Sequence, residues 1–179
     1  MIAAGMIAAG AVTSARAEVV GQGETGFAVS ETADVRASPA AVWAALVKPG
    51  SWWNSAHSWS GSAANMTLTP VPGGCFYEIL PGGGFAEHAR VIFVAPEKML
   101  RLSGAFGPMQ GEALAGTLTV TLEGEAGGAT KLTFDYVVGG YARFSLSAMP
   151  AAVDKVIGEQ HARLKRLIET GKADLPNTP

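Results

Sequence analysis

The stretch SAMPAAVDKVIGEQHARLKRLIET, from Ser147 to Thr170, decides the architecture. Its apolar residues Met149, Val153, Ile157, Leu164 and Ile168 recur at the helical period, and Val156 and Leu167 widen the stripe. Asp154, Lys155, Glu159, Arg163, Lys165, Arg166 and Glu169 fill the opposite side. Ahead of this helix, residues 21–140 alternate in steps of two and are punctuated by glycines, which is the pattern of antiparallel strands joined by tight turns. One helix laid across one curved sheet makes a groove, and a groove of that kind usually holds an apolar ligand.

The chain has 179 residues, enough for a single domain with a real core. Hydrophobic residues make up 48% and charged residues 16%, a balance that excludes disorder for most of the length. The net charge of −2, with no basic run interleaved with aromatics, argues against a nucleic-acid partner or an anionic membrane surface. Cys75 is the only cysteine, so there is neither an internal disulfide nor a cysteine cluster for zinc, and it reads as a small buried hydrophobe.

Residues 1–12 form a charge-free run rich in Ala, Ile, Met and Gly, and Ala15-Arg16-Ala17 has the small-x-small form of a signal-peptidase site. The expectation is a signal peptide over residues 1–17, a linker over 18–26, one domain over 27–171 and a flexible tail over 172–179. The mature protein is then periplasmic or secreted, with no integral membrane segment.

Residues 27–36 read as a first strand, with Phe27, Val29, Ala33 and Val35 on one side. Ser38-Pro39 supplies a helix N-cap followed by proline at the first helical position, and a short helix through 40–47 follows. Pro49-Gly50 stops it, and residues 51–57 are expected to add a second, single-turn helix. Six further strands are predicted over 66–70, 75–80, 87–95, 99–106, 116–123 and 130–138. Their connections carry turn chemistry, notably Gly73-Gly74, Gly82-Gly83-Gly84 and Gly127-Gly128. None of these is followed by Lys-Ser/Thr or leads from strand to helix, so hairpin tips are a better reading than phosphate loops.

Several local motifs sharpen this order. They are Ala37-Ser38-Pro39-Ala40-Ala41-Val42-Trp43-Ala44-Ala45-Leu46, the pair Trp52-Trp53, Gly73-Gly74-Cys75-Phe76, Ala95-Pro96-Glu97-Lys98-Met99-Leu100 and Ala129-Thr130-Lys131-Leu132. Together with the element order they resemble the helix-grip superfamily of START lipid-binding domains, major pollen allergens and polyketide aromatase/cyclases. The likeness runs over residues 27–170 and is closest to the branch of heat-shock ATPase activator homologues. It implies an α+β helix-grip fold: a curved antiparallel sheet of about seven strands wrapped round a long C-terminal helix, with two short helices after strand 1. It also implies a cavity, and it supplies no catalytic residue.

Alternation assigns faces to the strands. Leu132, Phe134, Tyr136 and Val138 share one side, as do Leu118, Val120 and Leu122, and these must face the long helix. Leu100, Leu102 and Phe106 join them. The same rule turns Ala89, Val91 and Phe93 inward together with Glu87, and turns Cys75, Tyr77 and Ile79 inward, leaving Glu78 outside. Glu78, His88, Arg90 and Arg101 could pass for a reaction centre, but a solvated outer face is the plainer reading. A bulge would invert such parities locally.

The expected ligand site follows. Leu102, Leu118, Phe134 and Tyr136 form its floor, and Met149, Val153, Ile157 and His161 its roof. Trp53 and His57, four residues apart, guard its mouth, and Tyr77, Glu87 and Tyr141 contribute polar atoms. His161 lies on the apolar seam of the helix, where a lone histidine is more often a core residue than a catalyst. The three histidines lack metal-ligand spacing, so no metal or cofactor is expected. The function expected is non-enzymatic binding or transport of a small hydrophobic ligand. Two alternatives stay open: a cyclase- or isomerase-like enzyme with Glu87 or His161 as acid/base, and a protein-binding module of the ATPase-activator kind, with a protein as its partner.

Overall fold

The computed structural model describes residues 16–175. The fold is α+β, an eight-stranded antiparallel sheet in the order β1-β2-β8-β7-β6-β5-β4-β3. The strands are β1 (Arg16–Gln22), β2 (Gly26–Val35), β3 (Met66–Leu68), β4 (Cys75–Ile79), β5 (Phe85–Ala95), β6 (Met99–Ser103), β7 (Ala113–Gly124) and β8 (Thr130–Tyr141). Two α-helices complete it, α1 (Pro39–Leu46) and α2 (Pro150–Thr170).

Local chemistry sets the ends of the helices. Ser38 Oγ accepts the Ala41 N–H, and Pro39 opens α1 without wasting a donor. Pro150 opens α2, and Gly171, with φ near 78°, closes it in the left-handed conformation that glycine adopts without strain. Residues 51–57 make no continuous helix. Single 3-10 turns at Pro49–Ser51 and Ser55–His57 flank the tryptophan pair instead. The hairpin reading of the glycine clusters is matched by positive φ at Gly73, Gly82, Gly83, Gly127 and Gly128.

The central strands keep their expected parity. Leu118, Val120, Leu122, Leu132, Phe134, Tyr136 and Val138 are all buried. The β4–β5 half does not. The register slips between Phe76 and Tyr77, and again between Val91 and Phe93. Both extra residues, His88 and Ile92, lie on β5. Strand β4 alternates without a break but with the reverse of the expected parity, Phe76 and Glu78 being buried, Ile79 exposed and Cys75 and Tyr77 half-buried. On β5 both His88 and Ala89 turn inward, and Phe93 faces solvent. Each slip places one residue too many against its partner strand, and every side chain beyond it changes sides.

The chain ends also depart from expectation. The segment 18–26, read as a linker, carries most of β1, which pairs with β2 as the eighth strand at the sheet edge. Of the tail expected at 172–179, Ala173 is buried and Asp174 meets Arg163 at 2.6 Å, so the chain folds back onto α2 there. Residues 1–15 and 176–179, including nearly all of the expected signal peptide, lie outside the described residues.

Helix α2 lies against β1, β2 and α1. Glu31 points from β2 into this contact, in register with Phe27, Val29, Ala33 and Val35. It fits because residue 158 is glycine: a Cβ there would stand 2.6 Å from Glu31 Oε1. That oxygen and Asp154 Oδ1 are both buried without a partner. Burial, aided by the Asp154 carboxylate, raises the Glu31 pKa from 4.5 to about 7. The unfolded chain therefore gives up this proton more readily than the folded one, and the contribution of Glu31 to stability falls as pH rises from 4.5 to about 7. His88 and His161, whose pKa values burial lowers, act in the opposite sense below pH 6.5, so the comparison is made against a variant. Glu31→Gln should gain stability over the wild type between pH 5 and pH 8, read as the difference in urea midpoint.

Candidate functional site

The concave face is filled at its centre by the tryptophan pair. Trp52 meets Phe134 edge to face at 6.4 Å, and Trp53 meets Phe76 at 5.3 Å and Phe106 at 6.4 Å between ring centroids. Only a void of about 20 Å3 remains between these rings and Leu102, Leu118 and Phe134. Those three residues, expected as a cavity floor, are packed core, because two indoles occupy the space they would have bordered.

An open cavity of about 310 Å3 lies to one side of the pair, under the N-terminal half of α2. Met149, Val153, Val156 and Ile157 descend from α2, Trp53 and Tyr136 close the inner end, and Phe106 and Met109 come from the segment after β6. His57, Ser58 and Trp59 stand at its mouth and His88 on its β5 wall. A broader depression of about 590 Å3 at the β5–β6 turn is shallow and bordered by exposed Pro96, Glu97 and Lys98, so its size does not make it an enclosed site.

Six of the residues proposed from the sequence thus line the cavity: Trp53, His57, Tyr136, Met149, Val153 and Ile157. The others do not. His161 is fully buried one helical turn beyond Ile157, where Nε2–H donates to the Leu132 carbonyl at 3.0 Å and the ring meets Phe134 edge to face. Burial lowers its pKa, and it is a core histidine. Glu87 pairs with exposed Arg90 at 2.9 Å, because the β4–β5 slip turns it away from the concave face. Tyr77 is half-buried on the side of β4 opposite buried Phe76 and Glu78. Tyr141 is 72% exposed at the end of β8, beyond the reach of the cavity.

Sequence reasoning missed the polar pair behind the β5 wall. His88 Nε2 lies 3.1 Å from Glu78 Oε1, both side chains buried, in a contact that falls short of hydrogen-bond alignment. Glu78 accepts the Trp59 N–H at 2.7 Å and the Ser60 N–H at 2.8 Å, one on each oxygen. Burial alone would raise its pKa. The hydrogen bonds from Ser60 and Trp59 and the neighbouring His88 outweigh that and hold it below the ordinary carboxylate value. Burial lowers the His88 pKa, opposed by Glu78. Glu78 is inside by the regular alternation of β4 with Phe76, and His88 is the extra residue of the β5 bulge, which turns it inward beside Ala89.

Tyr136 is anchored by accepting the Phe106 N–H at 2.9 Å and donating to the Gly104 carbonyl at 3.1 Å. Glycine is needed at 104, because a Cβ there would lie 2.2 Å from the His88 carbonyl oxygen. Among the described residues no group of three or more potential metal ligands converges, and no helix is long and apolar enough to cross a membrane.

The mouth is tied from two sides. Glu78 holds Trp59 and Ser60 on the sheet side. From α2, Glu159 takes the Asn54 side-chain amide and lies 3.0 Å from His57 Nε2, while Gln160 accepts the Asn54 N–H at 2.8 Å. Arg163 Nε donates to the Trp52 carbonyl at 2.8 Å.

The profile of the family described as polyketide cyclase/dehydrase and lipid transport matches residues 26–169. No curated protein matches the chain. Among solved structures, the conserved protein EF2215 of Enterococcus faecalis is 16% identical, with a TM-score of 0.58 over 94% of this chain and 84% of its own. DynU16, from the dynemicin biosynthetic locus, is 24% identical with a TM-score of 0.58, over 82% of this chain and 48% of its own. A protein of Rhizobium leguminosarum is 22% identical with a TM-score of 0.54, over 88% of this chain and 99% of its own. At these identities the likeness is one of fold.

The two-sided anchoring has a testable consequence. Glu159→Ala should accelerate amide hydrogen exchange at residues 54–58 about fivefold or more. Global stability should change by less than about 1 kcal/mol, because a half-exposed ion pair contributes little.

Proposed function

The chain belongs to the polyketide cyclase/dehydrase and lipid transport family, with a hydrophobic-ligand-binding helix-grip fold, and on that premise we propose that it binds or carries one small hydrophobic molecule in the cavity beneath the N-terminal half of α2. The observation that carries this reading is a cavity of about 310 Å3 walled by Trp53, Phe106, Tyr136, Met149, Val153 and Ile157. A guest burying about 200 Å2 of apolar surface gains roughly 5 kcal/mol at about 25 cal/mol per Å2. A single hydrogen bond nets roughly 0.5–1.5 kcal/mol. Burial therefore supplies affinity, and the few polar groups supply choice. Met109 and Met149 let the walls adapt to guests of different outline.

Val156 is the position for a blocking substitution, since it is half-buried and faces the cavity. The neutral dye N-phenyl-1-naphthylamine should bind the wild type. Val156→Trp should weaken that binding about tenfold or more while the unfolding midpoint stays near the wild-type value. Unchanged dye binding in the folded variant removes the cavity as the binding site.

Export completes the proposal. It is supported by the charge-free run over residues 1–12 and by Ala15-Arg16-Ala17. Cleavage after Ala17 would leave Glu18 to Gln22 to pair with β2. Mass spectrometry of protein recovered from its host should give an N-terminus at Glu18; an intact Met1 on protein retained in the cytoplasm rejects export.

A further inference from the structure

Glu31 with Asp154, Gln160, His161 and the Glu78–His88 pair are buried or nearly buried polar groups, and only His88 among them opens on the cavity. Its state follows from its surroundings. The two oxygens of Glu78 are acceptors, each already taking a backbone N–H, so the ring nitrogen that faces them at 3.1 Å is the one that carries the proton. That nitrogen is Nε2. Burial keeps the imidazole neutral near pH 7, and its Nδ1 then bears a lone pair. Phe76, with its ring centroid 4.7 Å from that of His88, fixes the plane. His88 therefore offers an acceptor, held in place, to a chamber that is otherwise largely apolar.

The rest of the wall says what cannot occupy it. Among the described residues, no Lys or Arg lines the cavity. Two carboxylates stand close behind it, Glu78 beside His88 and Glu159 beside His57. An anionic head group entering here would lose its hydration and meet no cation. An entirely apolar guest would leave the Nδ1 acceptor dry and unpaired, which is also unfavourable. His57 and Ser58 sit at the mouth, where water competes for them. Trp53, Phe106 and Tyr136, the last two stacked at 4.9 Å, present ring faces and edges that suit a flat guest.

Resting on the reading of this cavity as a ligand site, we infer that it selects a compact, uncharged aromatic molecule bearing a hydroxyl group, whose O–H donates to His88 Nδ1. Fatty acids and other carboxylates are excluded. Glu78 is a positioning residue in this arrangement, setting the tautomer of His88 and holding the mouth segment at Trp59 and Ser60.

Three probes of nearly one shape test this by calorimetry on the full chain: 2-naphthol, 2-methylnaphthalene and 2-naphthoate. The wild type should bind 2-naphthol roughly three- to tenfold more tightly than 2-methylnaphthalene, the scale of one net hydrogen bond. It should bind 2-naphthoate more weakly than either. Partition from water favours the methyl compound, so the expected order runs against simple hydrophobicity. His88→Leu should erase the preference for the naphthol and keep affinity for 2-methylnaphthalene. Equal binding of the two neutral probes to the wild type, a preference that survives in His88→Leu, or tight binding of the naphthoate overturns the inference and leaves the cavity as a ligand site. Failure of both neutral probes to bind removes the cavity reading itself, and the inference with it. Should His88→Leu not fold, nitrogen NMR of wild-type protein with labelled histidine gives the answer. The His88 Nδ1 resonance should move on adding 2-naphthol and not on adding 2-methylnaphthalene; an unmoved Nδ1 in the naphthol complex overturns the inference.

Discussion

Helix α2 is fastened to the sheet along its C-terminal half, and the rest of the molecule is arranged around that asymmetry. His161 donates to the Leu132 carbonyl, Lys165 Nζ donates to the Asp34 carbonyl at 2.6 Å, and Glu169 accepts the Arg36 N–H at 3.0 Å. Leu164 between them is fully buried. Toward its N-terminus the same helix still meets β2 at Glu31, which faces Gly158 and the Asp154 carboxyl, but Met149, Val153 and Ile157 overhang a space that no other element among the described residues fills. A twisted sheet is concave and a single helix is straight, so contact along one edge leaves a wedge along the other. The tryptophan pair takes the deep part of that wedge. What remains is the cavity. The segment that closes it has little regular structure of its own, and polar side chains from α2 and from Glu78 supply the order it lacks.

Two buried glutamates show how differently one residue type can be treated. Glu78 receives two backbone amides and faces a histidine, and its pKa falls below the ordinary value despite burial. Glu31 has an unpartnered oxygen and an acid for a neighbour, and its pKa rises to about 7. The first is a charged bolt that keeps its charge across the neutral range. The second is a group that the fold prefers protonated, tolerated because Gly158 leaves room for it. The difference comes from donors: loop amides converge on the β4 site, while α2 offers β2 only a glycine and a second carboxyl.

The parts of the fold legible in the sequence are those with an unbroken period. The α2 stripe, and the alternation of Leu118, Val120 and Leu122 on β7 against Leu132, Phe134, Tyr136 and Val138 on β8, carry straight into the structure because β7 and β8 pair without a slip. The cavity residues found in advance on α2 come from that stripe, and Tyr136 comes from β8. His161 shares the stripe, but period alone does not say where along a helix the roof ends and the core begins. On β5 alternation fails at two bulges, and with it the faces of Glu87 and His88. Strand β4 alternates regularly, but apolar residues lie on both its faces, so alternation alone put Tyr77 inside and Glu78 outside. A bulge is one extra residue on a strand whose partner has none, so it is located by the pairing of two strands and not by reading one strand alone. Strand β1 escaped notice because a short edge strand buries too little on one face to show a period.

The deepest part of the core lies apart from the cavity. Leu100, Leu102, Leu118, Phe134 and the indole of Trp52 pack against one another with almost no free volume, and none of them lines the cavity. The cavity wall is drawn from the mouth segment, the bulged strand β5, the residues after β6 and one end of α2, with Tyr136 of β8 and Trp53 forming the inner end that it shares with the core. Truncating the wall residues that also belong to the core, such as Tyr136 and Ile157, costs the several kcal/mol typical of a cavity opened in a close-packed core, whereas half-buried Val156 is not part of it. Met149 and Val156 are half-buried lining residues that lie at the edge of the core, where the wall is least tied to the fold. In this chain the wall residue that matters most is a polar one. By admitting a neutral imidazole braced by a carboxylate into an apolar wall, the chain turns a site that would accept any greasy molecule of the right size into one that also asks for a proton donor.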